Sequence, residues 1–372
     1  MNSALKERIL SQIRQSGPLP FSTFMETALY DPKHGFYASG KTRTGKGGDF
    51  LTPVSPGPVL GQLLARQADE WHQALGRPRP IRFIEQGADS GWLARDLLHA
   101  VHSNHPELAQ VGHLHVVEPH PKLAETQRET LASSGLKTQT HWHASWETVP
   151  DDGMACFFYS CELVDSFPIR IFRYRAGAWR EQLVGLTGGD FSWQEVEIDP
   201  DILGSIRHWD PPESEGFTVE LRPKVETWIR DWTKKISLGL VVTLDYGFPS
   251  REMFSPERGG GTLMALRQHR ASPNPLEDPG DQDLSAHVNF TELEELGAQS
   301  GWKSHGLTDF SRGMTALASP LLRQEGQPGE TWVRNFRHLT HPSFFGHTHK
   351  ILVQGKGLPA TFQPTISGKL QT

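Results

Sequence analysis

The sequence predicts an α/β protein, with a mainly parallel sheet covered by helices on both faces. Three observations predict it. From residue 81 onward, short apolar runs alternate with helically patterned stretches: "IRFIEQG" then "WLARDLLHAVH", "LHVVEPH" then "PKLAETQRETLASSG". Such alternation marks βα units whose strands are buried on both faces. The first run is followed by Gly87 and Gly91 at a strand-to-helix turn, and the second ends in an acid, Glu118. Both features belong at the carboxyl edge of a doubly wound sheet, where nucleotide-like ligands sit.

In chain order, Leu5, Ile9 and Ile13 predict a helix over 4–15, stopped by Ser16-Gly17-Pro18. A second short helix over 22–30 ends at Asp31-Pro32. Leu60, Leu63, Leu64, Gln67, Trp71 and Leu75 form one stripe with a single polar member, predicting an amphipathic helix over 59–75. Strands are expected at 81–85, 114–120, 154–164, 238–248 and in the closing "HKILVQGKG". "IRIFRYRAGAWREQLVGL" alternates with period two around Ala176-Gly177, which predicts a hairpin inserted over 169–186. Thr291 and Glu294 read as a capping box before "ELEELGAQSG". Residues 249–290 make a long loop region carrying Arg267, His269, Asp283 and His287, a length that usually has a function.

Composition removes several classes. The net charge is -6 and no basic tract dominates, so nucleic acid is not the expected partner. Two cysteines, Cys156 and Cys161, make no disulfide framework, and the first residues carry no signal-peptide apolar region. The expected compartment is a reducing cytoplasm. No apolar run approaches the length of a membrane span. Gly40 to Lys46 spells most of a phosphate-binding loop, but Gly47 stands where a magnesium-holding Ser or Thr is needed. His338, His341, His347 and His349 lack metal spacing on one helix, because Pro342 and Gly346 would break it, so no metal is expected.

The chemistry concentrates at the first turn. The strand ends in Glu85, and the turn reads Gly87-Ala88-Asp89-Ser90-Gly91. A dinucleotide would need a glycine where Asp89 stands, and that carboxylate would repel a pyrophosphate. S-adenosylmethionine carries a sulfonium, an ammonium and no phosphate, so charge favours it over NAD; a purely structural turn is the third reading. Glu118 is placed to accept hydrogen bonds from both hydroxyls of a ribose.

Eight segments in fixed order carry a resemblance: "FSTFMETALYDPKHGFY", "GKGGDFLTP", "IEQGADSGWLARDLL", "VVEPHPKL", "CELVDSFPIRIF", "LDYG", "GTLMALRQHR" and "PGDQDLSAHVNF". Over about residues 5–355 the chain resembles the MidA-like S-adenosylmethionine-dependent methyltransferases. A mitochondrial member of that family is an assembly factor for respiratory complex I and dimethylates an arginine of one subunit. The resemblance implies a class I, Rossmann-like, seven-stranded methyltransferase sheet with a helical N-terminal cap and an insertion. It implies a cap and glycine-rich lid over 1–78 and a core over 79–372. Gly48, Asp49, Phe50 and Thr52 would line the cofactor site as part of the lid, beside Glu85, Gly87, Ala88, Asp89, Gly91, Glu118 and Glu162. A protein substrate, by family resemblance a respiratory-complex subunit, is the implied partner.

Glu162, Asp165 and His287 are the catalytic candidates. A methyltransferase acting on arginine must orient one guanidinium nitrogen, and paired carboxylates do this by bidentate bonding. Glu162 and Asp165 read equally as caps of a turn. The chain departs from the family pattern at Ser55, Asp89, Cys161 and Asn289. Three readings stay open: methyl transfer to a protein nitrogen, methyl transfer to a small molecule, and a non-catalytic assembly protein that keeps the fold.

Overall fold

The computed structural model describes residues 3–39, 51–267, 270–323 and 328–368. The chain divides into two compact units, residues 42–163, 228–246 and 292–372 in one, and residues 1–41, 164–227 and 247–291 in the other.

The first unit holds the sheet. Its strands are β1 (Ile81–Gln86), β2 (Gly112–Val117), β3 (Thr140–His143), β4 (Ala155–Cys161), β5 (Gly239–Phe248), β6 (Lys303–Asp309) and β7 (His349–Lys356). They lie in the order β3-β2-β1-β4-β5-β7-β6. The first five are parallel, and β7 runs antiparallel between β5 and β6. Strand order reverses between β1 and β4, the switch point at which such sheets bind ligands.

Helices α1 (Val59–Ala74), α2 (Trp92–Asn104) and α3 (Pro121–Ser133) follow the predicted periodicity. Leu60, Leu64 and Trp71 of α1 are buried with Phe83, Leu97, Phe157, Tyr159 and Val242 in one apolar cluster. Gln67, the polar member of the α1 stripe, is also fully buried, because its side-chain oxygen accepts the Ile366 amide at 2.8 Å. On the other side of β4, Phe158 packs against Trp228 and Trp232.

Several elements escaped the periodicity. β3 and β6 are short or rich in polar residues, and helix α4 (Phe310–Arg323) contains Pro320. The capping box at Thr291 and Glu294 does not form. The helix there, Phe290–Gln299, already contains Thr291. The Asn289 side chain accepts the Thr291 amide, the Thr291 hydroxyl accepts the Ser250 amide, and Glu294 accepts from Ser304. Asn289 takes the N-cap role, one position before the helix begins.

The second unit is built on a five-stranded sheet. Its hairpin, Arg170–Arg175 with Ala178–Thr187, turns at Ala176-Gly177 with φ values of 48° and 81°. Two successive left-handed residues make the tight turn that matches strand twist. Leu19 and Pro20, which precede the helix Phe21–Tyr30, pair with Val184 and Leu183. The 249–290 region contributes a small three-stranded sheet of Met264–Arg267, Arg270–Ala271 and Asp283–Ser285.

Candidate active site

β1 is buried from Ile81 to Glu85, ends at Gln86, and gives way to a turn in which Gly87 adopts φ 78°, Asp89 φ 44° and Gly91 φ 81°. Left-handed backbone is natural for glycine and costly for a residue with a Cβ, so Asp89 holds a strained position. A Cβ on Gly87 would meet the Leu163 side chain at 3.1 Å, and one on Gly91 would meet the Gln127 Cα at 3.3 Å. The buried Ala88 offers its carbonyl to the Gly91 amide. Gly91 is the N-cap of α2, so the helix opens directly from the turn.

Two buried acids flank this turn. Glu85 accepts from the Tyr159 hydroxyl at 3.1 Å and from the Ala94 backbone, and burial pushes its carboxyl up to about 8. Glu118 follows β2 and accepts from the His120 amide and from Gln127 Nε2, both at 2.9 Å. Burial, reinforced by the nearby Asp89 charge, raises it to about 7. Gln127 ties the parts together: its Nε2 also donates to the Asp89 carbonyl, and its Oε1 accepts from Trp142 Nε1. A carboxylate poised to accept, beside a turn that glycines keep open, fits a ribose and the uncharged end of S-adenosylmethionine.

At the end of β4, Glu162 has φ 51°. Its amide donates to the Leu244 carbonyl, and its carboxylate lies 2.7 Å from His349 Nε2. Asp245, fully buried on β5, accepts the Leu163 and Tyr246 amides. Asp245 thus ends a core strand and fixes the backbone beyond Glu162. Thr52 is buried in a turn whose amides are held by the Ser55 and Thr52 hydroxyls. Gly48, Asp49 and Phe50 lie outside the described residues.

Asp165 and His287 belong to the second unit. The Ala286 amide donates to the Asp165 carbonyl. Arg222 donates to the carbonyls of Val164, Ala286 and His287, so one guanidinium braces both segments. The His287 ring lies 5.3 Å from Phe248. Burial, reinforced by the charges of Asp165 and Asp283, raises the hydroxyls of Tyr30 and Tyr37, whose rings stack at 5.5 Å, and Tyr37 donates to Asp283.

The structure therefore gathers Glu85, Gly87, Ala88, Asp89, Gly91, Glu118 and Glu162 in the sheet unit, and Asp165 and His287 in the other. Sequence reasoning missed Gln127, Tyr159 and His349 as functional neighbours. Gln127 did carry a signal, since a glutamine on the inner face of a helix demands a buried partner. Among the described residues, no group of three or more His, Cys, Asp and Glu is placed to hold a metal ion, and no helix is long and apolar enough to cross a membrane.

Comparison with known proteins gives one answer. A family profile described as "Putative S-adenosyl-L-methionine-dependent methyltransferase" matches residues 63–308. A mitochondrial protein arginine methyltransferase of Danio rerio, NDUFAF7, is 27% identical over 332 residues, covering 80% of this chain and 72% of the relative. Its Drosophila melanogaster homologue is 24% identical over 390 residues, covering 96% and 86%. A Burkholderia thailandensis protein solved with S-adenosyl-homocysteine superposes with a TM-score of 0.87 at 27% identity, covering 98% of this chain and 94% of that one.

Proposed function

This chain belongs to the S-adenosyl-L-methionine-dependent methyltransferase family, and we propose that its methyl acceptor is an arginine side chain of a protein. S-adenosylmethionine supplies an electrophilic methyl group on a sulfonium. The chain's own residues do the rest by alignment and exclusion of water. We assign Glu118 to the ribose hydroxyls. Gly87, Ala88 and Gly91 keep backbone close to the cofactor without a side chain in its place. Glu85, with Tyr159, fixes the start of α2 behind the turn, and Thr52 is proposed to line the site.

The observation that carries the acceptor reading is Glu162: a carboxylate at the end of a central strand, in a backbone conformation that disfavours any side chain, and buttressed by His349. Strain at such a position is kept where the side chain's direction matters. A carboxylate is the group that orients a guanidinium nitrogen. The names of the relatives point the same way. Asp165 and His287 are proposed as further acceptor-side residues, and a respiratory-complex subunit is the first protein substrate to try.

The test is incubation with labelled S-adenosylmethionine and arginine-, lysine- and glutamine-containing peptides and protein extracts, with the modified residue mapped by mass spectrometry. Methyl-arginine that vanishes in Glu162→Gln is expected. Methylation confined to another side chain or to small molecules would overturn the arginine assignment and leave the cofactor chemistry standing.

A further inference from the structure

His349 is the first residue of β7, and β5 separates β7 from β4 in the sheet. Its ring is buried and reaches across Tyr246, 5.5 Å away, to place Nε2 2.7 Å from Glu162 Oε1. Its Nδ1 lies 3.1 Å from the Thr348 hydroxyl. That hydroxyl has one proton, and the Phe344 carbonyl lies 3.0 Å away to accept it. With that proton directed to Phe344, the Thr348 oxygen accepts from Nδ1 while Nε2 donates to Glu162. Two donating nitrogens make an imidazolium. The rings of Phe310 and Phe345 stand edge-on to it at 5.9 and 5.2 Å, which limits its rotation.

We propose that His349 is the positioning residue for the acceptor carboxylate: as an imidazolium it holds Glu162 in its strained conformation, and it releases its Nδ1 proton to solvent when a cationic acceptor joins it on Glu162. This rests on Glu162 as the acceptor-side carboxylate. The charge logic is direct. A guanidinium and an imidazolium on one carboxylate repel each other in a partly dry site. Loss of the Nδ1 proton leaves a neutral imidazole that still donates from Nε2, with the Thr348 hydroxyl turning to donate to Nδ1, and Glu162 keeps its orientation while its charge serves the acceptor. Among the charged groups of the neighbouring strands, Asp245 on β5 is engaged by two backbone amides, and Lys350 on β7 is paired with Asp309 of β6, which also faces His347.

Two measurements test it. In ¹⁵N-histidine-labelled protein, the His349 signal of the native chain should report two protonated nitrogens at pH 6 and titrate at lower pH in Glu162→Gln. An unchanged titration overturns the proposal whatever the acceptor is. In methyl transfer to the acceptor peptide, His349→Leu should raise KM by about tenfold, the scale of one charge-assisted hydrogen bond. S-adenosyl-homocysteine affinity should stay within about twofold. His349→Gln should restore most of the loss, because its amide can reach the same oxygen. The native KM should fall as pH rises from about 6 to 8.5, the range over which an imidazole sheds its proton, and His349→Gln should lose that slope. Equal defects in Leu and Gln variants, with equal drops in melting temperature, would reduce His349 to a packing role. Normal kinetics in Glu162→Gln would instead overturn the reading of Glu162 itself.

Discussion

Glu118 carries the clearest titration in the cofactor half of the site. Its folded carboxyl titrates at about 7, above the usual carboxylate range, because burial and the Asp89 charge disfavour the anion. Ribose hydroxyls donate to a carboxylate, so binding selects the ionised form. Affinity for S-adenosyl-homocysteine is therefore complete above pH 7 and falls as pH drops through 7, which calorimetry across pH 5.5–8.5 (about three units around that point) would show. Glu118→Ala should cost about 1.5–3 kcal/mol of binding at pH 8, the range for hydrogen bonds to a charged group. Asp89→Gly is the companion variant. Removing the neighbouring charge lowers the Glu118 titration, so the binding curve should move to lower pH. If affinity drops at every pH instead, Asp89 contacts the cofactor's ammonium.

The first strand-to-helix turn is an element whose shape depends on which atoms stand behind it. Gly91 and Gly153 both have left-handed backbone, φ 81° and 73°. Around Gly153 nothing lies within reach of an added Cβ, whereas at Gly91 the added atom presses on the Gln127 backbone of α3. Gly153→Ala should cost about 1 kcal/mol of stability from backbone strain alone. Gly91→Ala should cost more, on the order of 2–3 kcal/mol, and should also weaken cofactor binding because α3 carries the Gln127 that holds Glu118. Equal losses in chemical denaturation, with no effect on binding, would show that Gln127 does not transmit the turn's geometry.

For the whole molecule, the buried titrating groups act in opposite directions. Glu85 and Glu118 titrate at about 8 and about 7, above their unfolded value of 4.5. The folded state binds their protons more tightly, so their contribution is greatest at low pH and is lost as pH rises from about 4.5 to 8. His115 is held down to about 3 by burial and by the Arg82 guanidinium it adjoins. The unfolded state binds that proton more tightly, so stability gained from His115 is lost as pH falls from 6.5 toward 3. Above pH 6.5 the His115 contribution is complete and only the carboxyl contribution still changes, so the melting temperature of the free protein should decline to about pH 8. S-adenosyl-homocysteine at about 100 times its dissociation constant adds about 2.7 kcal/mol by linkage. It should flatten the Glu118 part of that decline, while NAD and ATP leave the curve unmoved. A melting temperature that rises with NAD would sink the cofactor geometry argued from Asp89 and Glu118.

The sequence by itself determined the alternation of strands and helices, the α1 stripe, the hairpin at Ala176-Gly177, and the placing of Gly87, Gly91 and Glu118 at strand ends. Each of these follows from local rules: side-chain period, left-handed backbone at glycine, and the short reach from a strand to the turn that follows it. The edge strand β6 and the helix with Pro320 were illegible because edge and irregular elements are stabilised by neighbours more than by their own pattern. Only the tertiary structure decided what holds each acid. Tyr159 meets Glu85 because β1 and β4 pair in register, 74 residues apart. His349 meets Glu162 across 187 residues because strand order places β7 beside β5 and β5 beside β4. Such partners share no sequence period with the residues they hold. The packing of distant strands brings them together, and it is that packing which sets the proton affinity of each carboxyl.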